Sequence, residues 1–417
     1  MAKAYSAPGK ALIAGGYLVL DPAYNAYVTA LSSRMHAHVE ESSTRPFSSI
    51  TVQSPQFDGQ WDFVIHDSTI ANVSETHGRK NPFLQATIKT VLNYFQPSEK
   101  FNLSITLYSD PGYHTQEKTQ AKTSSNGRRT FLFHSKPIDQ VAKTGMGLSA
   151  GLVSVVTGAL VGHFTKQPVD QNRQIIHNIA QIAHCEAQGK IGSGFDVAAA
   201  VYGSIIYRRF TPETIDDVLG KQLSAELCAE IKRIVDSDWH FNHTQCSLPQ
   251  GIRLLMGDVN GGSETPKLVS KVLAWRRASP DSAEVYAELD LANASFVSAL
   301  TSLQSSIVSK EALEPVMDAL RRIRKGLQKL TASSGADIEP KEQTSLLDLC
   351  EKLPGCLGGV VPGAGGYDAI CLLVEESKIG ELKRASAKDA AFANVTWLDL
   401  SEEAFGLQEE PVEDYDF

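Results

Sequence analysis

Much that would point to other functions is missing from this 417-residue chain. No run of eighteen apolar residues stands out, which predicts no membrane-spanning helix and no membrane partner. The opening MAKAYSAPGK lacks the apolar core of a secretory signal, and the closing VEDYDF is neither a peroxisomal nor a retention address. The six cysteines are scattered, with no CxxC pair. In a chain of this length they read as reduced thiols, which predicts a cytoplasmic location. Thirty-nine Lys and Arg against 48 Asp and Glu leave a net charge of −9, so no basic face is expected and nucleic acid is excluded as a partner. The phosphate loop GxxxxGK[ST] is absent. His36 and His38 alternate outward on a strand without a third ligand and read as surface residues. His177 and His184 are seven apart, beyond the four-residue spacing of helical zinc pairs. Arg321–Lys329 reads as a solvated basic helix face.

What remains is an ordinary globular composition, 42% hydrophobic, with enough length for two or three domains. The pattern predicts a strand at Tyr5–Pro8, a turn at Gly9-Lys10, and strands at Ala11–Ile13 and Tyr17–Leu20. A half-buried strand follows at Met35–Glu40, then a helix at Phe83–Phe95 and a strand at Asn102–Tyr108. Residues 41–60 and 109–129 read as polar loops. Leu148–His163 is an apolar, small-residue helix, and a second helix runs from an Asp170 cap to about Gln188. Its stripe is Ile175, Ile179 and Ile182, with Glu186 next on that face. Asp196–Tyr202 is a short helix, Ser204–Phe210 a strand, and 211–248 a helical stretch between domains. Ile252–Val259 is a strand, and Thr265 with Pro266 opens a helix. Helices at 282–308 and 310–333 lead to strands at Leu357–Val361 and Asp368–Val374. The acidic last ten residues are expected to fray. No internal repeat is visible. The whole is an α/β (α+β) protein whose first third lacks regular βαβ alternation.

Four segments carry chemistry. Gly145-Met146-Gly147-Leu148-Ser149-Ala150-Gly151 precedes an apolar helix. Such glycines let successive amides face phosphate oxygens, and the helix adds its positive end. Taken alone, the segment also reads as a tight turn or a loose dinucleotide fingerprint. Gly192-Ser193-Gly194-Phe195-Asp196 sets an aspartate where a glycine loop meets a helix, either an N-cap or a site carboxylate. Ser6-Ala7-Pro8-Gly9-Lys10 places a lysine after a glycine, and Pro362–Gly366 is a second glycine loop. A carboxylate at Glu186 and a hydroxyl at Ser149 are donors suited to Mg²⁺ with nucleotide phosphates.

In this order the segments resemble the GHMP kinases, the family of galactokinase, homoserine kinase and mevalonate kinase. The strings that carry the resemblance are SAPGKALIAGGYLVL (6–20), KTGMGLSAGLVSVV (143–156), AHCEAQGKIGSGFDVAAAVYGS (183–204), GDVNGGSETPKLV (257–269) and PGAGGYDAI (362–370). They are most similar to the fungal branch that acts on 5-phosphomevalonate, and Gly15-Gly16-Tyr17 stands where mevalonate kinase carries Gly-Glu-His. The resemblance implies a two-domain fold, an N-terminal domain like ribosomal protein S5 (1–220, nucleotide-binding) and a ferredoxin-like C-terminal domain (221–417). It implies transfer of the γ-phosphoryl group of ATP to (R)-5-phosphomevalonate in isoprenoid and sterol synthesis, with Mg²⁺, by a monomer or homodimer. Carried over residue by residue, Lys143, Gly145, Met146, Gly147, Leu148, Ser149, Ala150 and Gly151 wrap the nucleotide phosphates. Ser149 and Glu186 hold Mg²⁺, and Lys10 and Asp196 form the catalytic pair. Tyr17, Gly192, Ser193, Gly194, Gly363, Ala364 and Gly365 meet the substrate, with Lys190, Lys136 and Lys267 as further candidates for its charges. Leu148 departs from the family's usual GLGSSA loop, where a serine stands. Two alternatives stay open: another small-molecule kinase of the family, or a nucleotide-binding sensor without turnover.

The acceptor's chemistry adds an expectation. A phosphate monoester with a second pKa near 6 is already mostly dianionic at neutral pH. Charge neutralisation therefore outweighs proton abstraction, and Lys10 is expected to dominate while Asp196 orients it.

Overall fold

A computed structural model describes residues 2–42, 46–66, 73–77, 80–114, 118–141, 147–259, 265–303 and 310–417. The long strand β1 (Lys3–Ala14) runs antiparallel to β2 (Ala26–Glu41). No turn interrupts it at Gly9-Lys10. The register instead slips between Pro8 and Gly9, a bulge that absorbs the proline, which has no N–H for the ladder. Residues 18–20 form a single 3₁₀ turn rather than a strand, entered through Tyr17 at φ 63°. Strands β3 (Ser48–Ser54), β4 (Gly59–Ile65) and β5 (Val73–His77) extend the sheet through β6 (Asn102–Ser109), with helix α1 (Pro82–Phe95) between β5 and β6. Of the stretches expected as polar loops, 41–60 holds β3 and the start of β4, and 109–129 holds β7 (Thr119–Thr123), which pairs with β8 (Thr130–His134) just beyond it.

Helix α2 (Leu148–Thr165) packs on β1, β2, α1 and the helix that follows. It is apolar on nearly every side, as a largely buried helix is. By length and composition alone it is long and apolar enough to cross a membrane, against the expectation of no such helix; two thirds of that stretch is buried inside the protein. Helix α3 (Val169–Gln188) starts one residue before Asp170, with Pro168 at the cap position. Its buried face is set by Ile176, Ile179, Ile182 and Cys185, a face turned from the expected one, so Glu186 sits off it. Helix α4 (Phe195–Tyr202) and β9 (Ile205–Arg208) follow. The stretch to 248 holds α5 (Glu213–Asp216), α6 (Ala225–Asp236) and β10 (Asn242–Gln245), and β10 pairs with β9.

A second antiparallel sheet is built from β11 (Ile252–Val259), β12 (Cys356–Val360), β13 (Ala369–Glu375) and β14 (Val395–Trp397), in the order β12-β13-β11-β14. Helices α7 (Thr265–Ala278), α8 (Ser282–Leu303), α9 (Lys310–Ser334), α10 (Lys341–Cys350) and α11 (Ile379–Ser386) accompany it. On α9, Arg324 reaches the carboxylates of Glu339, Asp348 and Glu351 at 2.8–2.9 Å, and the Glu339 side chain is fully buried. Replacing Arg324 with glutamine strands that carboxylate. Urea unfolding is expected to show a loss of about 3–5 kcal/mol.

The chain's end corrects the expectation of fraying. β15 (Glu402–Glu403) pairs with β2 between the stretches taken by β9 and β6, and β16 (Gln408–Glu410) pairs with β1. The tail continues to Tyr415, which packs on Phe131, Tyr108 and His36. His36 is consequently no surface residue. It is fully buried, with its ring nitrogens at 2.9 Å from the Tyr415 hydroxyl and 3.2 Å from Asp110.

Candidate active site

One cavity of about 530 Å³ collects residues from both sheets and carries most of the residues singled out from sequence. Lys10 enters it from β1, where its backbone pairs with Ala30. Its ammonium lies 5.5 Å from the centroid of the Phe195 ring. Gly147, at φ +82°, lies over the lysine stem; a Cβ there would come within 3.0 Å of Lys10 Cε. Burial holds the Lys10 ammonium below the ordinary lysine range, and the charge of Asp196 works in the opposite direction.

Two helix N-termini open near this lysine. α2 starts immediately after Gly147 with no side chain capping it, so its first amides are available to phosphate oxygens. α4 starts after Gly194, with Asp196 in its first turn. The loop before α4 has an informative hydrogen-bond pattern. Gly192 O accepts from Arg209 Nη2 at 2.9 Å, Ser193 O from the Tyr207 hydroxyl at 2.9 Å, and Gly194 O from Gln181 Nε2 at 2.7 Å. In a trans peptide the following N–H points opposite to the carbonyl. The amides of Ser193, Gly194 and Phe195 are thereby turned away from those three side chains, an arrangement suited to an anion. Gly194 has no substitute here: a Cβ would stand 2.9 Å from the Tyr207 hydroxyl, and its φ is +77°.

The C-terminal glycine loop closes the other side. The Tyr17 hydroxyl donates to Ala364 O at 2.8 Å, and a Cβ on Gly16 would lie 3.2 Å from Gly363 O. Gly366 N donates to Ile338 O at 2.8 Å, and a Cβ on Gly365 would strike that same oxygen at 2.2 Å. The segment that Arg324 anchors through Glu339 is therefore the floor on which this loop rests.

Other expected site residues fall elsewhere. Lys143, Gly145 and Met146 lie outside the described residues. Ala150 and Gly151 are buried in α2, and the Gly151 amide donates to Gly147 O at 3.0 Å, so that amide is already used. Gly151 serves close packing, with a Cβ there 3.3 Å from that of Met35. Glu186 faces away from the cavity, its carboxylate accepting from Gly220 N at 2.8 Å, because the buried face of α3 is rotated from the expected stripe. Of the three extra lysines only Lys190 lines the cavity.

His184, set aside in the sequence, is the unexpected member. Its Nε2 is 3.0 Å from Ser149 Oγ, 3.3 Å from Gln188 Nε2 and 3.9 Å from Asp196 Oδ2. Gln181, His184 and Gln188 follow a 3-and-4 spacing along α3, a polar stripe that the sequence did contain. A hydroxyl and a carboxylate thus converge within 4 Å of one imidazole nitrogen. Among the described residues no cluster of three or more His, Cys, Asp or Glu side chains is placed to hold a metal. Mg²⁺ needs only one or two protein oxygens beside phosphates. Ser149 and Asp196 lie on the same side of His184, whereas the Glu186 carboxylate is turned to Gly220 N.

Comparison with known proteins bears on the same features. Residues 118–204 match the family model described as GHMP kinases N terminal domain, and 305–390 match GHMP kinases C terminal. The chain is 53% identical to phosphomevalonate kinase of Candida albicans, covering 100% of this chain and 99% of that protein. It is 36% identical to the phosphomevalonate kinase of Aspergillus fumigatus, covering 97% and 92%. In fold it is similar to Streptococcus pneumoniae phosphomevalonate kinase in complex with phosphomevalonate and AMPPNP, with a TM-score of 0.65, 18% identity and coverage of 96% and 99%. With helix N-termini and a half-buried lysine meeting at one cavity, and full-length similarity of this degree, the chain belongs to the GHMP kinase family, within its phosphomevalonate kinases.

Proposed function

We propose that this chain transfers the γ-phosphoryl group of ATP to the phosphate of (R)-5-phosphomevalonate, giving 5-diphosphomevalonate for isoprenoid and sterol synthesis. The observation that carries the reading is Lys10, a half-buried cation between the N-termini of α2 and α4. The first amides of α2 take the nucleotide phosphates and those of Ser193–Phe195 the acceptor phosphate, leaving Lys10 between the two groups. That placement answers the main difficulty of the reaction, which is bringing several negative charges together. Asp196 orients Lys10 and, with Ser149, would hold Mg²⁺, whose charge neutralises the bridging phosphate oxygens when bound. His184 keeps the Ser149 hydroxyl in place.

We further propose a division of the chain near residue 220, with strands 242–245 and 402–410 lent back to the first sheet. A cytoplasmic monomer or homodimer remains our working assignment. A coupled assay of ADP release decides the acceptor. Turnover with 5-phosphomevalonate and none above background with mevalonate is expected; the reverse preference would reassign the substrate, and ATP binding without turnover on either would favour a sensor.

A further inference from the structure

Besides Lys10, the cavity contains a buried cation that the transfer step does not use. Arg209 follows β9, is 5% exposed, and lines the cavity. Its Nε donates to Phe210 O at 3.2 Å, Nη1 to Leu20 O at 3.0 Å and Nη2 to Gly192 O at 2.9 Å. All three partners are neutral carbonyls. Among the described residues no carboxylate comes within ion-pair distance of it.

The nearby acidic groups are otherwise engaged or distant. Asp21 is held by Arg276 and by the amide of Ala23, and it reaches Arg209 only through space, as Glu213 does. Burial pushes the Cys185 thiol up to about 11, so that neighbour is neutral at physiological pH. The Tyr207 hydroxyl is likewise protonated, since burial raises it, and it donates to Ser193 O. A guanidinium has five N–H donors in a planar fork, and three are accounted for. A charge withdrawn from water in this way is costly without a counter-anion.

The surrounding wall tells what kind of ligand supplies that anion. Val19, Leu20, Val269 and Leu273 line the same cavity and present aliphatic surface. The ligand that fits is apolar along its middle, with a phosphate at one end for Lys10 and a second anion at the other. We infer that Arg209 binds the carboxylate of the acceptor and so selects substrates with an anion at both ends. This rests on the acceptor reading above. A planar carboxylate suits the two remaining donors of the fork, and the three carbonyl bonds keep the fork from turning. Lys190 is exposed at the rim and is not required.

The test compares 5-phosphomevalonate with the phosphate monoester of the same chain in which the carboxylate is replaced by hydrogen. Wild-type protein is expected to lose about 10- to 100-fold in kcat/KM on the truncated acceptor, the range of one charge-assisted hydrogen-bonded contact. Arg209→Gln should lose that much on the intact acceptor yet discriminate between the two by less than about threefold, with KM for ATP unchanged. Arg209→Lys should recover part of the discrimination. If Arg209→Gln separates the two acceptors as strongly as wild type, the inference is overturned and the residue is only a brace for the Gly192 loop. Should both variants fail to fold, wild type and Lys190→Gln still decide. Equal use of the two acceptors by wild type, or discrimination lost in Lys190→Gln, sinks the assignment, whereas discrimination retained in both upholds it. Failure of the acceptor reading itself shows differently, as no ADP release from 5-phosphomevalonate by wild type.

Discussion

Lys10→Met is expected to lower kcat by roughly 10³-fold or more, the scale of losing the cation that neutralises charge in phosphoryl transfer. Asp196→Asn should cost far less, because an acceptor that is already dianionic gives it no proton to remove and asparagine keeps an oxygen for Mg²⁺. The pH profile sharpens the contrast. Burial disfavours the charged form of Lys10, so the free enzyme loses that charge below the usual lysine value of 10.5. The alkaline limb of kcat/KM should lie correspondingly low, and bound phosphates should push the limb in kcat to higher pH. Lys10→Met removes the limb altogether. The same shift has a stability consequence: between the folded value and 10.5 the unfolded chain binds the extra proton, so stability rises with pH through that window. Pre-steady-state and steady-state profiles of both variants settle the roles. An Asp196→Asn variant slower than Lys10→Met, with an acid limb lost, would make the aspartate a general base.

Ending the chain after Leu400 is expected to unfold the first sheet rather than trim a loose tail. Arg34 is 6% exposed, and its guanidinium reaches Glu403, Gly406 O, Ser6 O and Ser6 Oγ. Removing the tail takes the Glu403 carboxylate that pairs with Arg34 and leaves a buried charge, at about 3–5 kcal/mol. Leu407 is fully buried against Gly158 of α2, so its loss adds about 1.5–3 kcal/mol. Together these approach the 5–15 kcal/mol that holds a typical domain folded. β1 also loses its outer partner β16, and β1 is the strand that carries Lys10. Low soluble yield, a large fall in the urea midpoint and no activity are expected. A truncated protein with an unchanged midpoint would refute the structural role of the tail.

The local elements were legible where one signal dominated. Pro82–Phe95, Leu148–Thr165 and Ile252–Val259 follow from periodicity and breakers, within a residue or two. Several misreadings turn on long-range partners. Gly9-Lys10 has the composition of a turn, yet β2 holds it in a continuous strand. His36 looks exposed until Tyr415, 379 residues later, covers it. A tail rich in Asp and Glu should fray by composition, but Arg34 and Arg129 wait for its carboxylates.

By itself the sequence determined the family and the order of the glycine loops and pointed to Lys10, Ser149 and Asp196 as site candidates, since these depend on motifs a few residues long. Only the tertiary structure decided that Glu186 turns to Gly220, that His184 joins Ser149 to the Asp196 side, and that Arg209 faces the cavity rather than Arg208, its exposed neighbour. The reason is rotational. A helix residue turns by about 100° from the next and a strand residue by about 180°, so the face that meets a site depends on what packs behind it. That packing is made by residues far away in the chain.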